Sequence, residues 1–235
     1  MNPVPALIHA HFQSIDFDIA DDIKKIAVNV SGGADSAILL YMVADYLVKN
    51  NRTESTELNV LTCVNDFKGR WNARKAAAVI DFVIGRTGCP INMHYSYYRP
   101  TQDVKYFHEI ERKLISRGDI DLMVAGLTLN PIGRNIVTNI HGKNIDLAEK
   151  ALPERNVNHM KLLNGNYWFP FANTDKKMVS SLYDQYKVNE LFPLTRSCET
   201  IPEMKDGIAV NSNFENEPCG ECWWCLERKW AFGEF

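Results

Sequence analysis

Two groups of residues in this sequence have the types and spacing that do chemistry. The first is Ser31-Gly32-Gly33-Ala34-Asp35-Ser36. A small, glycine-rich turn that feeds a helix leaves backbone N–H groups unpaired and aimed outward at the positive end of the helix dipole. Such a turn is an anion site, suited to phosphate. Gly32 and Gly33 let the backbone come close to a ligand, and Ser31 and Ser36 add hydroxyl donors. The kinase-type phosphate loop needs a lysine followed by Ser or Thr after its last glycine, and the dinucleotide fingerprint needs a third glycine. Neither is present. Asp35 is the odd residue, because a carboxylate beside bound phosphate is repulsive unless a cation lies between them, which points to Mg²⁺. The plain alternative is an ordinary strand–turn–helix corner.

The second group is Cys198, Cys219, Cys222 and Cys225. Four thiolates at this spacing suit a tetrahedral, closed Zn²⁺ site, and in a chain without export signals such clustering means metal rather than disulfides. Arg196, Lys205, Arg228 and Lys229 are close enough in sequence to offset the negative charge of a Zn(Cys)₄ centre. An iron–sulfur cluster is the rival, since Cys-x-x-Cys-x-x-Cys also occurs in ferredoxins, but the distant fourth cysteine and the missing proline after the triplet favour zinc. Cys63 reads as a core thiol in a strand and Cys89 as a turn thiol.

The elements that must hold these groups follow from periodicity. Ile26 to Val30 is a short apolar, β-branched run, the mark of a buried parallel strand. Asp35 to Val48 then places Ala37, Leu40, Tyr41, Ala44 and Leu47 at helical spacing. Strand and helix alternate again over Leu58–Val64 and Asn72–Ile84, closed by Gly85 to Gly88, then over Ile91–Tyr97 and Asp103–Arg117. Leu122–Ala125 is a fourth strand, followed by Gly126. This alternation predicts an α/β, doubly wound (Rossmann-like) parallel sheet, with the ligand at the carboxyl ends of the strands where their order reverses. Between Leu127 and Trp168 the pattern weakens, with a short helix over Asp146–Ala151 and a turn at Asn164-Gly165-Asn166. Thr174 or Asp175 can cap a further helix carrying Met178, Leu182 and Tyr186. The expected organisation is an ATP-binding α/β domain over 1–195 with a small zinc-binding segment over 196–235 packed on it.

At 235 residues the chain can build one large domain and an appendage, and its net charge of −3 argues against coating nucleic acid. No long apolar stretch predicts a membrane span or a secretory signal. The expected compartment is the cytoplasm, with a homodimer as the assembly considered.

Ser31 to Ser36 resembles the Ser-Gly-Gly-x-Asp-Ser signature of the PP-loop ATP pyrophosphatase superfamily. Together with Ser197-Cys198 and Cys219-Gly220 through Cys225 to Arg228, and with Pro170 and Asp175-Lys176 before them, the chain is similar to the 7-cyano-7-deazaguanine synthase family of queuosine biosynthesis. The resemblance implies an ATP-dependent ligase that adenylates a carboxylate and transfers ammonia, converting 7-carboxy-7-deazaguanine through the amide to the nitrile. It implies catalytic roles for Asp35 and Lys176, Lys176 facing the nucleotide phosphates. ATP is expected over Ser31 to Ser36, with adenine near Asn29, Val30, Cys63, Val64, Asn65 and Gly126, and Zn²⁺ on the four cysteines. The family's Val-Pro-x-Arg-Asn element stands here as Arg99-Pro100-Thr101-Gln102-Asp103, and its base-associated Tyr-Pro-Asp-Cys-Arg element after Gly126 is not recognisable. The ATP half of the pattern therefore transfers and the deazapurine half does not. Two rivals stay open: a tRNA-modifying or thiolating enzyme of the same superfamily, and a non-catalytic, zinc-stapled nucleotide-binding module.

Overall fold

The computed structural model describes residues 15, 19–64, 71–98, 104–129, 137–140, 143–146, 161–162, 166–172, 174–199, 204–205, 208–209 and 217–235. Strand β1 (Lys25–Asn29) leads to helix α1 (Ala34–Lys49), then β2 (Glu57–Val64), α2 (Asn72–Thr87), β3 (Met93–Tyr98), α3 (Val104–Ser116) and β4 (Leu122–Ala125). A hairpin of β5 (Val137–Ile140) and β6 (Lys143–Asp146) follows, then β7 (Lys161–Leu162) and β8 (Tyr167–Trp168). The chain continues through α4 (Lys176–Tyr186), a 3₁₀ segment (Asn189–Leu194), the short pair β9 (Met204–Lys205) and β10 (Ile208–Ala209), and α5 (Trp223–Phe232).

The main sheet runs β3-β2-β1-β4-β8-β7. Neighbours from β3 through β8 are parallel, and β7 alone pairs antiparallel, at the edge beside β8. The sheet is wound on both faces. Ile26, Val28, Leu58 and Val60 pack with α1, α2 and α4 on one side. Ala27, Leu61, Met123 and Tyr167 meet Leu114 and Ile115 of α3 on the other. Alternate residues of one strand thus serve two cores, which is why these strands read as continuous apolar runs. Helix α1 is buried nearly all round, from Ala34 and Ser36 through Ala44 to Leu47. A helix surrounded on every side can tolerate little motion.

Because β2 and β4 flank β1 on opposite sides, strand order reverses at β1, and the loop leaving its carboxyl end sits at that crevice. Three local expectations need correction. Helix α2 passes through Gly85, where an added side chain would find open space, and ends at Gly88 in the left-handed region. Strand β3 starts at Met93, because the Asn92 side chain, accepting from the Leu58 N–H at 3.0 Å, stands in for a ladder bond. Asp146, expected to open a helix, instead closes strand β6 of the hairpin, and 147–151 lie outside the described residues. The Arg99–Asp103 element lies outside them too, as do most of 127–168 and the lead-in before residue 19 apart from Ile15. No helix among the described residues is long and apolar enough to cross a membrane.

Candidate functional site: a phosphate loop beside a cysteine centre

The turn from β1 into α1 has its acceptors tied down and its donors left open. Gly32 O accepts from the Arg196 N–H at 2.7 Å, Gly33 O from the Ala37 N–H at 3.1 Å, and Ala34 O from the Tyr183 hydroxyl at 2.7 Å. By contrast, the N–H groups of Gly32, Ala34, Asp35 and Ser36 make no hydrogen bond to a described residue, and Gly33 at the N-cap of α1 offers no side-chain cap. Orphan donors at the start of a buried helix, held in place by bonds made on their carbonyl side, form a rigid anion-binding nest. Gly32 sits at φ +78, and a Cβ there would lie 2.6 Å from the Lys75 Cβ. Only glycine fits that position. Gly126, just beyond β4, passes so close that its Cβ would lie 3.1 Å from the Asp35 carbonyl carbon. The two serines differ from their expected use: Ser36 Oγ donates to Gly33 O and accepts from the Ser31 N–H, so it braces the turn. The Gly33 N–H spends itself on Ser31 Oγ at 3.3 Å.

Behind the loop lies a buried charge cluster. The Lys176 ammonium, on a residue 3% exposed, sits 3.1 Å from Asp35 Oδ2 and 3.1 Å from Glu227 Oε2. Asp175 caps α4 by accepting the Met178 N–H and so fixes where Lys176 enters. Burial works against the ammonium, but Asp35 and Glu227 outweigh it and push its pKa up to about 12. Sequence reading sets Lys176 facing phosphate and Mg²⁺ beside Asp35. In the structure Lys176 is itself the cation beside Asp35, and its charge is already matched by two carboxylates. Asp35 Oδ1 remains buried with no hydrogen-bond partner. A hard, unpartnered carboxylate oxygen next to open amides fits Mg²⁺.

Of the residues assigned to adenine, Asn29 turns elsewhere: its Nδ2 donates to Glu111 Oε1 of α3 at 2.6 Å. Cys63 and Val64 end β2, both half-buried, and Cys63 O accepts from Asn72 Nδ2 at 3.4 Å. Asn65 lies outside the described residues. Cys89, expected as a turn thiol, is buried, and burial raises its pKa to about 11.

The four C-terminal cysteines converge. Their sulfurs all lie within 4.8 Å of one another, so the set could hold a metal ion. Gly220 at φ +77 turns the chain between Cys219 and Cys222, the Cys222 N–H points at Cys219 Sγ at 3.3 Å, and Cys225 sits in the first turn of α5. Hydrogen bonds from its neighbours, Cys219 foremost, hold the Cys198 thiol below its ordinary range, while bonding to Cys198 pushes Cys222 and Cys225 up. Four soft donors, three of them buried, that cannot all ionise without a cation fit a thiophilic metal such as Zn²⁺. The centre is tied to the loop by Arg196 and by Glu227, which sits on α5 just past Cys225. Phe232 of α5 stacks on Phe192 at 4.2 Å and meets Tyr183 edge-on at 5.5 Å. Glu227 and Tyr183, and the bond from Arg196 to Gly32, escape a reading of motifs because the partners are remote in sequence.

No family model matches the sequence, and no curated protein matches it. Among solved structures the chain is similar to the U34-tRNA thiolase NcsA from Methanococcus maripaludis with its 4Fe–4S cluster, at 12% identity over 77% of this chain and 60% of that one, TM-score 0.46. It is similar also to NMN synthetase from Francisella tularensis, at 12% identity over 91% and 79% of the two chains, TM-score 0.40. A third is NAD⁺ synthetase from Burkholderia pseudomallei, at 11% identity over 73% and 74%, TM-score 0.34. The chain thus spans 60% of the thiolase's length. Likeness this distant assigns no activity.

Proposed function

We infer that this chain is an ATP-dependent enzyme of the PP-loop type, which adenylates a carboxylate and passes it to ammonia. The observation that carries the reading is the row of unpaired N–H groups at Gly32, Ala34, Asp35 and Ser36, at the uncapped start of α1 and at the reversal point of the sheet. Those amides hold the pyrophosphate part of ATP, and Asp35 offers its unpartnered oxygen to Mg²⁺. The ends of β1, β2 and β4, with Cys63, Val64 and Gly126, form the wall for the nucleoside. A substrate carboxylate oxygen attacks the α-phosphorus, releasing pyrophosphate, and ammonia then displaces AMP from the adenylate. The chemistry is positioning and electrostatics and needs no nucleophilic side chain. Lys176, paired with Asp35 Oδ2 at 3.1 Å, sets that carboxylate beside the loop.

The substrate proposed is 7-carboxy-7-deazaguanine, taken first to the amide; the amide oxygen then attacks the α-phosphorus of a second ATP, and the imidoyl adenylate loses AMP and a proton to leave 7-cyano-7-deazaguanine. Support for it is the pairing of the Ser31–Ser36 loop with the Cys198 to Arg228 motif. Zn²⁺, where bound, supplies a structural clamp on the four cysteines. The test is incubation with ATP, Mg²⁺, ammonium and 7-carboxy-7-deazaguanine, followed by mass analysis. Amide and nitrile, with AMP and pyrophosphate, are expected. AMP release that needs a different carboxylate would keep the ligase and discard the substrate. Salt-dependent RNA binding with no small-molecule product would favour the tRNA-modifying alternative.

A further inference from the structure

One ammonium behind the loop serves two carboxylates. Lys176 Nζ lies 3.1 Å from Asp35 Oδ2 and 3.1 Å from Glu227 Oε2, and it is the one cation within ion-pair distance of Asp35 among the described residues. The two carboxylates are not equivalent. The Glu227 side chain is 1% exposed and that of Asp35 20%, so the attraction between Lys176 and Glu227 is the less screened of the two. Asp35 also stands in the first turn of α1, beside the open amides, and its Oδ1 has no hydrogen-bond partner. Had Lys176 only Asp35 to face, the pair would be neutral and would hold little attraction for a cation. With Glu227 present the three groups carry one net negative charge, and Asp35 is the member that faces the loop. Arg196 and Arg228, the other buried cations of this region, line a cavity with Cys198 and Cys225 and offset the thiolates there.

We propose that Glu227 is a positioning residue for the metal-bound nucleotide: by sharing the charge of Lys176, it leaves Asp35 the net negative charge that draws Mg²⁺ to the loop. Naming the cation as nucleotide-bound Mg²⁺ rests on the function proposed above; the shared ammonium does not. The test titrates the full chain, loaded with zinc, with ATP by calorimetry, once with excess Mg²⁺ and once in magnesium-free buffer without chelator. The wild type is expected to bind ATP more tightly with Mg²⁺. Glu227→Gln keeps the shape of the side chain and removes its charge. It is expected to weaken ATP with Mg²⁺ on the order of tenfold, while metal-free ATP, the more negative ligand, binds at least as tightly as before. Glu227→Asp keeps the charge and is expected to keep the Mg²⁺ preference. Lys176→Met combined with Glu227→Gln again leaves one net negative charge, on Asp35 alone, and is expected to regain the preference. Equal weakening with and without Mg²⁺ in Glu227→Gln would make Glu227 a structural residue and overturn the inference. An unchanged Mg²⁺ preference in that variant, or none regained in the double variant, overturns it too, and the nucleotide reading survives all three results. A wild type that binds ATP without regard to Mg²⁺ removes the metal from that reading and the inference with it, and one that binds no ATP removes both.

Discussion

The loop after β1 and the cysteine centre lie side by side and reach order in opposite ways. The loop is finished by protein alone: every carbonyl from Gly32 to Ala34 has a donor, and what stays open is a set of N–H groups facing outward. The cysteine centre instead gathers four sulfurs within 4.8 Å of one another, a set that could hold a metal ion. On the proposed reading, one region is preorganised for a ligand that comes and goes and the other for a metal that stays. They are joined where Lys176 bridges Asp35 and Glu227 and where Arg196 bonds Gly32. A loose C-terminal segment would therefore be felt at the loop.

If the contrast is right, taking metal from the cysteine centre has the largest effect. Structural zinc contributes roughly 10 kcal/mol in small peptides, so a strong chelator, or Cys222→Ser, is expected to lower the melting temperature sharply and to alter the near-ultraviolet signal of Trp223 and Trp224. An unchanged melt after the metal is removed would erase the distinction between the two regions. Next comes the joint itself. Lys176→Met leaves the buried Glu227 carboxylate facing the half-buried Asp35 with no cation between them, with an expected loss of about 3 kcal/mol in urea denaturation. Adding Glu227→Gln to that variant should recover part of the loss; no recovery would mean that the cluster does not act as a unit.

Within the loop, Gly32→Ala meets both a left-handed backbone and the Lys75 Cβ at 2.6 Å, whereas Gly88→Ala shares the backbone strain but meets open space. Gly88→Ala is expected to lose about 1 kcal/mol and to bind ATP normally. Gly32→Ala should lose more than that and bind ATP poorly, and equal behaviour of the two would mean that the close approach to α2 is unimportant. The smallest effect concerns pH. Because the folded Lys176 pKa is raised from 10.5 to about 12, its stabilisation is complete below 10.5 and is lost as pH climbs through about 12. Stability measured across that alkaline window should fall more steeply in the wild type than in Lys176→Met.

How much of this could be read beforehand depended on how local the signal was. The strand, the glycine turn and α1 are contiguous, and their apolar period and small residues specify one another, so the sheet and the loop were legible. The cysteines were legible because few arrangements explain four thiols so spaced. The antiparallel edge was not, as β7 and β8 are two residues each, too short for any period to show. Glu227 carries no signal of its own in the sequence; only folding brings it to Lys176. Asn29 stood at the right end of the right strand, yet its side chain points to the face where Glu111 waits. Period-two alternation decides that choice, and a single polar residue does not announce it.

The most direct measurement follows the amide resonances of Gly32, Ala34, Asp35 and Ser36 in ¹H–¹⁵N spectra as ATP and Mg²⁺ are added. The account predicts that these four move downfield together as their N–H groups take phosphate oxygens, with Asn50 and Gly88, at far helix ends, unmoved. Four stationary amides under saturating ATP, or shifts confined to other parts of the chain, would contradict it.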